Sequence, residues 1–95
     1  MAAYIIVDVA VTDPVPYEEY RQRVPATLEP YGGRFLVRGG AVEIYEGDWR
    51  PSRIVVLEFP DAEQASAWYH SPAYQEILPI RTRHAHSNML LVQGI

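Results

Sequence analysis

Three charged residues interrupt segments that are otherwise apolar: Asp8 within residues 4–12, Arg38 directly after Phe35, Leu36 and Val37, and Glu58 near the end of residues 53–59. A charge inside a strand needs a partner, because an isolated ion loses on the order of several kcal/mol of hydration on burial. One guanidinium between two carboxylates satisfies all three groups, so Arg38 is expected to bridge Asp8 and Glu58. Such a set suits acid/base work or the grip of a substrate carboxylate. It serves equally as a structural ion-pair network at a subunit seam.

His70 is the fourth candidate for catalysis, since the ordinary imidazole pKa of about 6.5 suits proton transfer at neutral pH. An exposed helix-end histidine, favoured by the helix dipole, is the plainer account. Tyr20, Tyr31, Tyr69 and Tyr74, with Ser71 and the arginines Arg53 and Arg81, form the candidate substrate-binding set. The aromatic members suit a cleft for a small organic molecule, and they suit core packing equally well. Ser71 precedes Pro72, where helix capping explains it fully. His84 and His86 would share one face of an extended segment, but no third ligand stands nearby and no metal is expected.

These groups must be positioned by a short chain. Ninety-five residues make one domain, spanning 1–95, whose private core is small. A hydrophobic fraction of 48% with seven Tyr and two Trp is globular composition. The net charge of −4 argues against nucleic acid, and the absence of cysteine removes disulfides and thiolate chemistry. No stretch approaches a signal sequence or a membrane span, so a cytoplasmic protein is expected.

Ile5, Val7, Val9 and Val11 alternate as a strand with one dry side. Asp13-Pro14 starts a helix carrying Tyr17, Tyr20, Val24, Leu28 and Tyr31 at three- and four-residue steps, with Pro25 predicting a kink near Arg21. Residues 35–38 and 42–45 read as two halves of one strand bent at Gly39-Gly40, and residues 53–59 as the next strand. Asp61 caps a helix with Gln64 three residues on, Ser71-Pro72 begins a second short helical piece, and residues 86–92 form the last strand. The order β-α-β-β-α-β predicts an α+β, ferredoxin-like antiparallel sheet with helices on one face. The opposite face, with Ile6, Ala10, Ile54 and Val56, predicts a homodimer through the open sheet.

The chain resembles the family catalogued as domain of unknown function 1330, within the dimeric α/β-barrel superfamily. The resemblance rests on residues 4–8, the run from Gly32 to Gly40, Glu46-Gly47-Asp48-Trp49, Arg53, Glu58-Phe59, residues 68–74 and Arg81. It implies a ferredoxin-like protomer and a barrel-forming homodimer, and carries no established reaction. The superfamily also contains cofactor-free oxygenases, isomerases and haem enzymes. The functional expectation is a cofactor-free enzyme of isomerase or oxygenase type, acting on a small organic acid or aromatic metabolite. A non-catalytic ligand-binding or interaction dimer is the alternative.

Overall fold

The computed structural model describes residues 1–95. The elements run β1 (Ala3–Val11), α1 (Pro14–Leu28), a 3-10 turn (Glu29–Tyr31), β2 (Arg34–Arg38), β3 (Ile54–Phe59), α2 (Ala62–Tyr69), α3 (Pro72–His84) and β4 (Ala85–Gln93). The strands form one antiparallel sheet in the order β2-β3-β1-β4, the ferredoxin-like arrangement expected from the element order.

The strict alternation of β1 decides which side the helices cover: Ala3, Ile5, Val7 and Val9 are buried, while Tyr4, Ile6, Asp8 and Ala10 are only half-buried. Leu57 and Phe59 continue the dry side on β3. Tyr17, Tyr20, Val24 and Leu28 close down on it from α1, with Ala65, Trp68, Tyr74 and Ile77 from α2 and α3. Trp68 is the centre of the core: its ring centroid lies 4.1 Å from that of Tyr74 and 5.5 Å from that of Phe59. Its indole N–H donates to Thr27 Oγ1 at 3.0 Å, so burying the ring leaves no polar atom unpaired.

Helix starts follow local chemistry. Asp61 accepts the Gln64 amide at 2.8 Å, and Ser71 accepts that of Tyr74 at 3.2 Å. Asp13 occupies the N-cap of α1 without a side-chain cap bond, the start being set by Pro14.

Two expectations are corrected. Residues 42–45 are not a strand: β2 ends at Arg38, and residues 40–53 cross the uncovered side of the sheet as irregular chain. The ladder of β2 with β3 ends at the Arg38–Val55 pair, and β3, beginning at Ile54, does not extend to continue it through residues 42–45. The irregularity in β2 also lies earlier than the glycines. The pairing steps from Phe35↔Leu57 to Val37↔Val56, so Leu36 is the extra residue of a bulge. This slip turns Arg38 to the same side as Phe35, beneath the helices.

Candidate functional site: an arginine-lined cleft under the first helix

The bulge at Leu36 creates the site. With regular alternation Arg38 would face away from the helices; instead it pairs with Val55 and joins Arg53 and Arg81 in a cleft between α1 and the sheet. Tyr17 and Tyr20 form the helix wall, and Val7, Val9 and Trp68 lie at its base. The free volume is about 40 Å³. That is room for about three waters, or for a small organic group.

Each arginine is held differently. Arg81, on α3, is 6% exposed and donates from Nη1 to Ser87 Oγ, while its Nε has no partner. Arg53, just before β3, also has a buried Nε without a partner. Gly39 passes so close over Arg53 that a Cβ there would stand 2.6 Å from Nη1, and its φ of 72° is one that glycine adopts without strain. Arg38 lies over the Phe35 ring with its Cζ 4.3 Å from the centroid, and donates from Nη2 to the Arg21 carbonyl at 2.7 Å.

None of the three makes an ion pair. The chain's ion pairs are Arg21–Glu18, Arg23–Glu19, Arg23–Glu76 and Arg34–Glu58. Four arginines therefore line a mostly apolar cleft, and while Arg21 is paired with Glu18, the other three have no carboxylate in contact, although the chain as a whole carries a net charge of −4. Burial, then the like charges of Arg21 and Arg53, push the pKa of Arg38 below its ordinary value. Such a site concentrates positive potential where a small anion would sit.

The phenols of Tyr20 and Tyr74 meet at 2.8 Å, one donating to the other. Burial, reinforced by Tyr74, pushes the Tyr20 phenol far above its ordinary value, so it stays protonated throughout the neutral range. Burial also raises Tyr17, against the opposing pull of Arg53 and Arg81. For Arg81, burial works against the charge, and the nearby Tyr74 and Tyr20 oxygens more than offset it. The cleft can thus hold an anion by charge and offer it phenolic protons.

The expected convergence of Asp8, Arg38 and Glu58 does not occur. Asp8 and Glu58 point from the uncovered side of the sheet, and Arg38 from the other. Asp8 instead accepts Trp49 Nε1 at 3.1 Å on Oδ2 and the Ser52 amide at 2.9 Å on Oδ1, tying residues 40–53 down. These bonds, the indole's first, hold its carboxyl below the usual value. Glu58 pairs with Arg34 at 2.6 Å on a partly exposed surface.

Other candidates also lie apart from the cleft. His70 is exposed, its Nδ1 within 3.0 Å of the Ser66 carbonyl, beside a separate groove bordered by Tyr69, Met89 and Leu91. Ser71 donates to the Trp68 carbonyl at 2.7 Å and caps α3, which occupies its hydroxyl. Tyr31 packs at the edge of the core after α1. His84 ends α3 and His86 lies in β4, so they do not share one extended strand, and no group of three metal-ligating side chains occurs. Of the expected binding residues, Tyr20, Arg53, Tyr74 and Arg81 do come together. Tyr17 and Ser87 belong with them; Tyr17 looked like one more core position, and nothing in the sequence marks Ser87.

The fold recurs in solved structures. A protein of unknown function from Rhodopseudomonas palustris superposes with a TM-score of 0.74 at 17% identity, covering 99% of this chain and 82% of the other. SnoaB, a cofactor-independent oxygenase from Streptomyces nogalater, does so with a TM-score of 0.70 at 15% identity, covering 99% and 93%. A dimeric ferredoxin-like protein of unknown function from Thermobifida fusca matches with a TM-score of 0.58 at 16% identity, covering 99% and 92%. Likeness at these identities is a likeness of fold alone. None of the curated proteins compared matches the chain, and no helix is long and apolar enough to cross a membrane. Residues 2–95 match a single family model, and the chain belongs to the family described as Domain of unknown function (DUF1330).

Proposed function

We propose that the protein binds a small organic acid as its anion in the Arg38, Arg53 and Arg81 cleft and acts on it as a cofactor-free enzyme of the isomerase or oxygenase type. The observation that carries this reading is that three of the four guanidinium groups lining one small, mostly apolar cleft have no carboxylate partner, only Arg21 being paired, with Glu18. Guanidinium groups stabilise a carboxylate, and also the enolate that develops when a proton leaves the neighbouring carbon. The Tyr20–Tyr74 pair, held neutral by burial, would stabilise such an anion by donating a phenolic hydrogen bond without giving up the proton. In an oxygenase the same electron-rich anion would yield electrons to dioxygen, a reading supported by the fold likeness to the S. nogalater oxygenase.

One observation favours the non-catalytic alternative. The Tyr20 phenol is held so firmly in its neutral form that it donates hydrogen bonds but does not take up a proton as a base at pH 7. A thermal-shift screen of small carboxylic acids, lactones and phenols, with Arg38→Ala and Arg53→Ala alongside, tests the binding step. A rise in midpoint with carboxylates, lost in the variants, supports the reading. A screen without any shift removes it. Turnover of the ligand that binds then separates enzyme from carrier.

The protein is further proposed to work as a homodimer through the uncovered sheet face. Ile6, Ile54 and Val56 are only half-buried there, and Leu90 and Val92 are 56% and 43% exposed. Sedimentation at micromolar concentration should give twice the chain mass; a monomer at every concentration contradicts it.

A further inference from the structure

Resting on the reading of the cleft as an anion site, we infer that its ligand is a short dicarboxylate, with one carboxylate held at the inner end and one at the mouth. The inner subsite is Arg81. It is 6% exposed, has an unpartnered Nε, and shares its surroundings with Tyr20 and Tyr74. The mouth subsite is Arg53 with Arg38: Arg53 is half-buried, Arg38 is exposed, and the charge of Arg53 is, after burial and Arg21, among the causes of Arg38's lowered pKa. Tyr17 lines the same cleft, its phenol subject to the charges of both Arg53 and Arg81.

Charge and size select the class together. A single carboxylate neutralises one end and leaves the other with its orphan Nε, and an unsatisfied buried donor is costly. Two carboxylates on a short carbon chain satisfy both. The free volume of about 40 Å³ admits about three waters' worth of ligand inside, so the linking chain must be short and the second carboxylate must lie toward the mouth. The apolar walls from Val7, Val9 and Tyr17 suit the methylene groups between the charges.

The test is calorimetric titration of the purified protein with malonate, monomethyl malonate, acetate and inorganic phosphate, repeated on Arg53→Gln. Malonate should bind about tenfold or more tightly than its monoester, the expected worth of one further charge-assisted hydrogen-bonded pair. In Arg53→Gln that preference should fall to about twofold or less, with monoester affinity retained through Arg81. Equal affinity for malonate and monoester in the unsubstituted protein overturns the two-subsite inference and leaves the anion site standing. Phosphate binding as tightly as malonate overturns it also, marking a site that reads charge alone. No heat with any of the four overturns the underlying anion-site reading as well. Near-ultraviolet circular dichroism of Arg53→Gln confirms that a lost preference is not a lost fold.

Discussion

Arg38 donates from Nη2 to the backbone carbonyl of Arg21 at 2.7 Å, and this is the carbonyl that Pro25, four residues on in α1, leaves without its helical donor. A proline inside a helix has no N–H to give, so the freed acceptor must be satisfied by water or a side chain. Here it anchors an exposed arginine of the cleft. The defect in the helix is thus coupled to the position of a residue of the proposed binding cleft.

Pro25→Ala restores the missing donor at position 25. It should raise stability by about 1–2 kcal/mol, the relief of an interior proline less the entropy it removes from the unfolded chain. It should also free Arg38 and weaken ligand binding several-fold. Thermal melting and titration of the same preparation check both halves; higher stability with unchanged affinity separates Pro25 from the site.

Tyr20→Phe leaves the Tyr74 hydroxyl buried without its 2.8 Å partner and should cost about 1–2 kcal/mol. The pH dependence has a fixed sign. Because burial raises Tyr20 and Tyr17 above 10.0, their contribution is complete below that pH and is lost as the pH rises past 10, where the unfolded phenols ionise. Alkaline titration should show phenolate absorbance and loss of near-ultraviolet dichroism together above pH 10. Tyr20→Phe should remove part of that alkaline slope.

Asp8 ties residues 40–53 to the sheet through Trp49 and Ser52, and those bonds hold its carboxyl below 3.8. Its contribution is present above 3.8 and is lost as the pH falls through the lower folded value. Asp8→Ala should release the indole at neutral pH, with a red shift of Trp49 emission resolved against a Trp49→Phe control. Ligand binding in the cleft should survive, since Asp8 lies on the other side of the sheet.

Glu58→Gln should change stability by less than about 1 kcal/mol, because its partner Arg34 is 69% exposed and the pair is screened. Affinity for a bound carboxylate should not change. A large loss of affinity would return Glu58 to the site from which the fold separates it.

The fold was legible because alternation and capping act locally: β1 shows its dry side in Ile5, Val7 and Val9, and Asp61 and Ser71 mark their helices. The site was legible in part. Tyr20, Arg53, Tyr74 and Arg81 lie together at one cleft, whereas Asp8, Arg38 and Glu58 do not converge. The reason is one residue: the bulge at Leu36 reverses which side Arg38 faces, and a bulge at a leucine leaves no mark in composition or periodicity. Residues 42–45 carry a strand's alternation, yet a strand needs a neighbour, and β3, which would have to continue the ladder beyond Arg38, begins only at Ile54.

The most direct test of the central claim is calorimetric titration of small carboxylates into the protein and into an Arg38→Ala, Arg53→Ala double variant of intact fold. Saturable binding to the unsubstituted protein and its loss in the variant are expected. Absence of saturable binding, or the same affinity in both proteins, would contradict the claim.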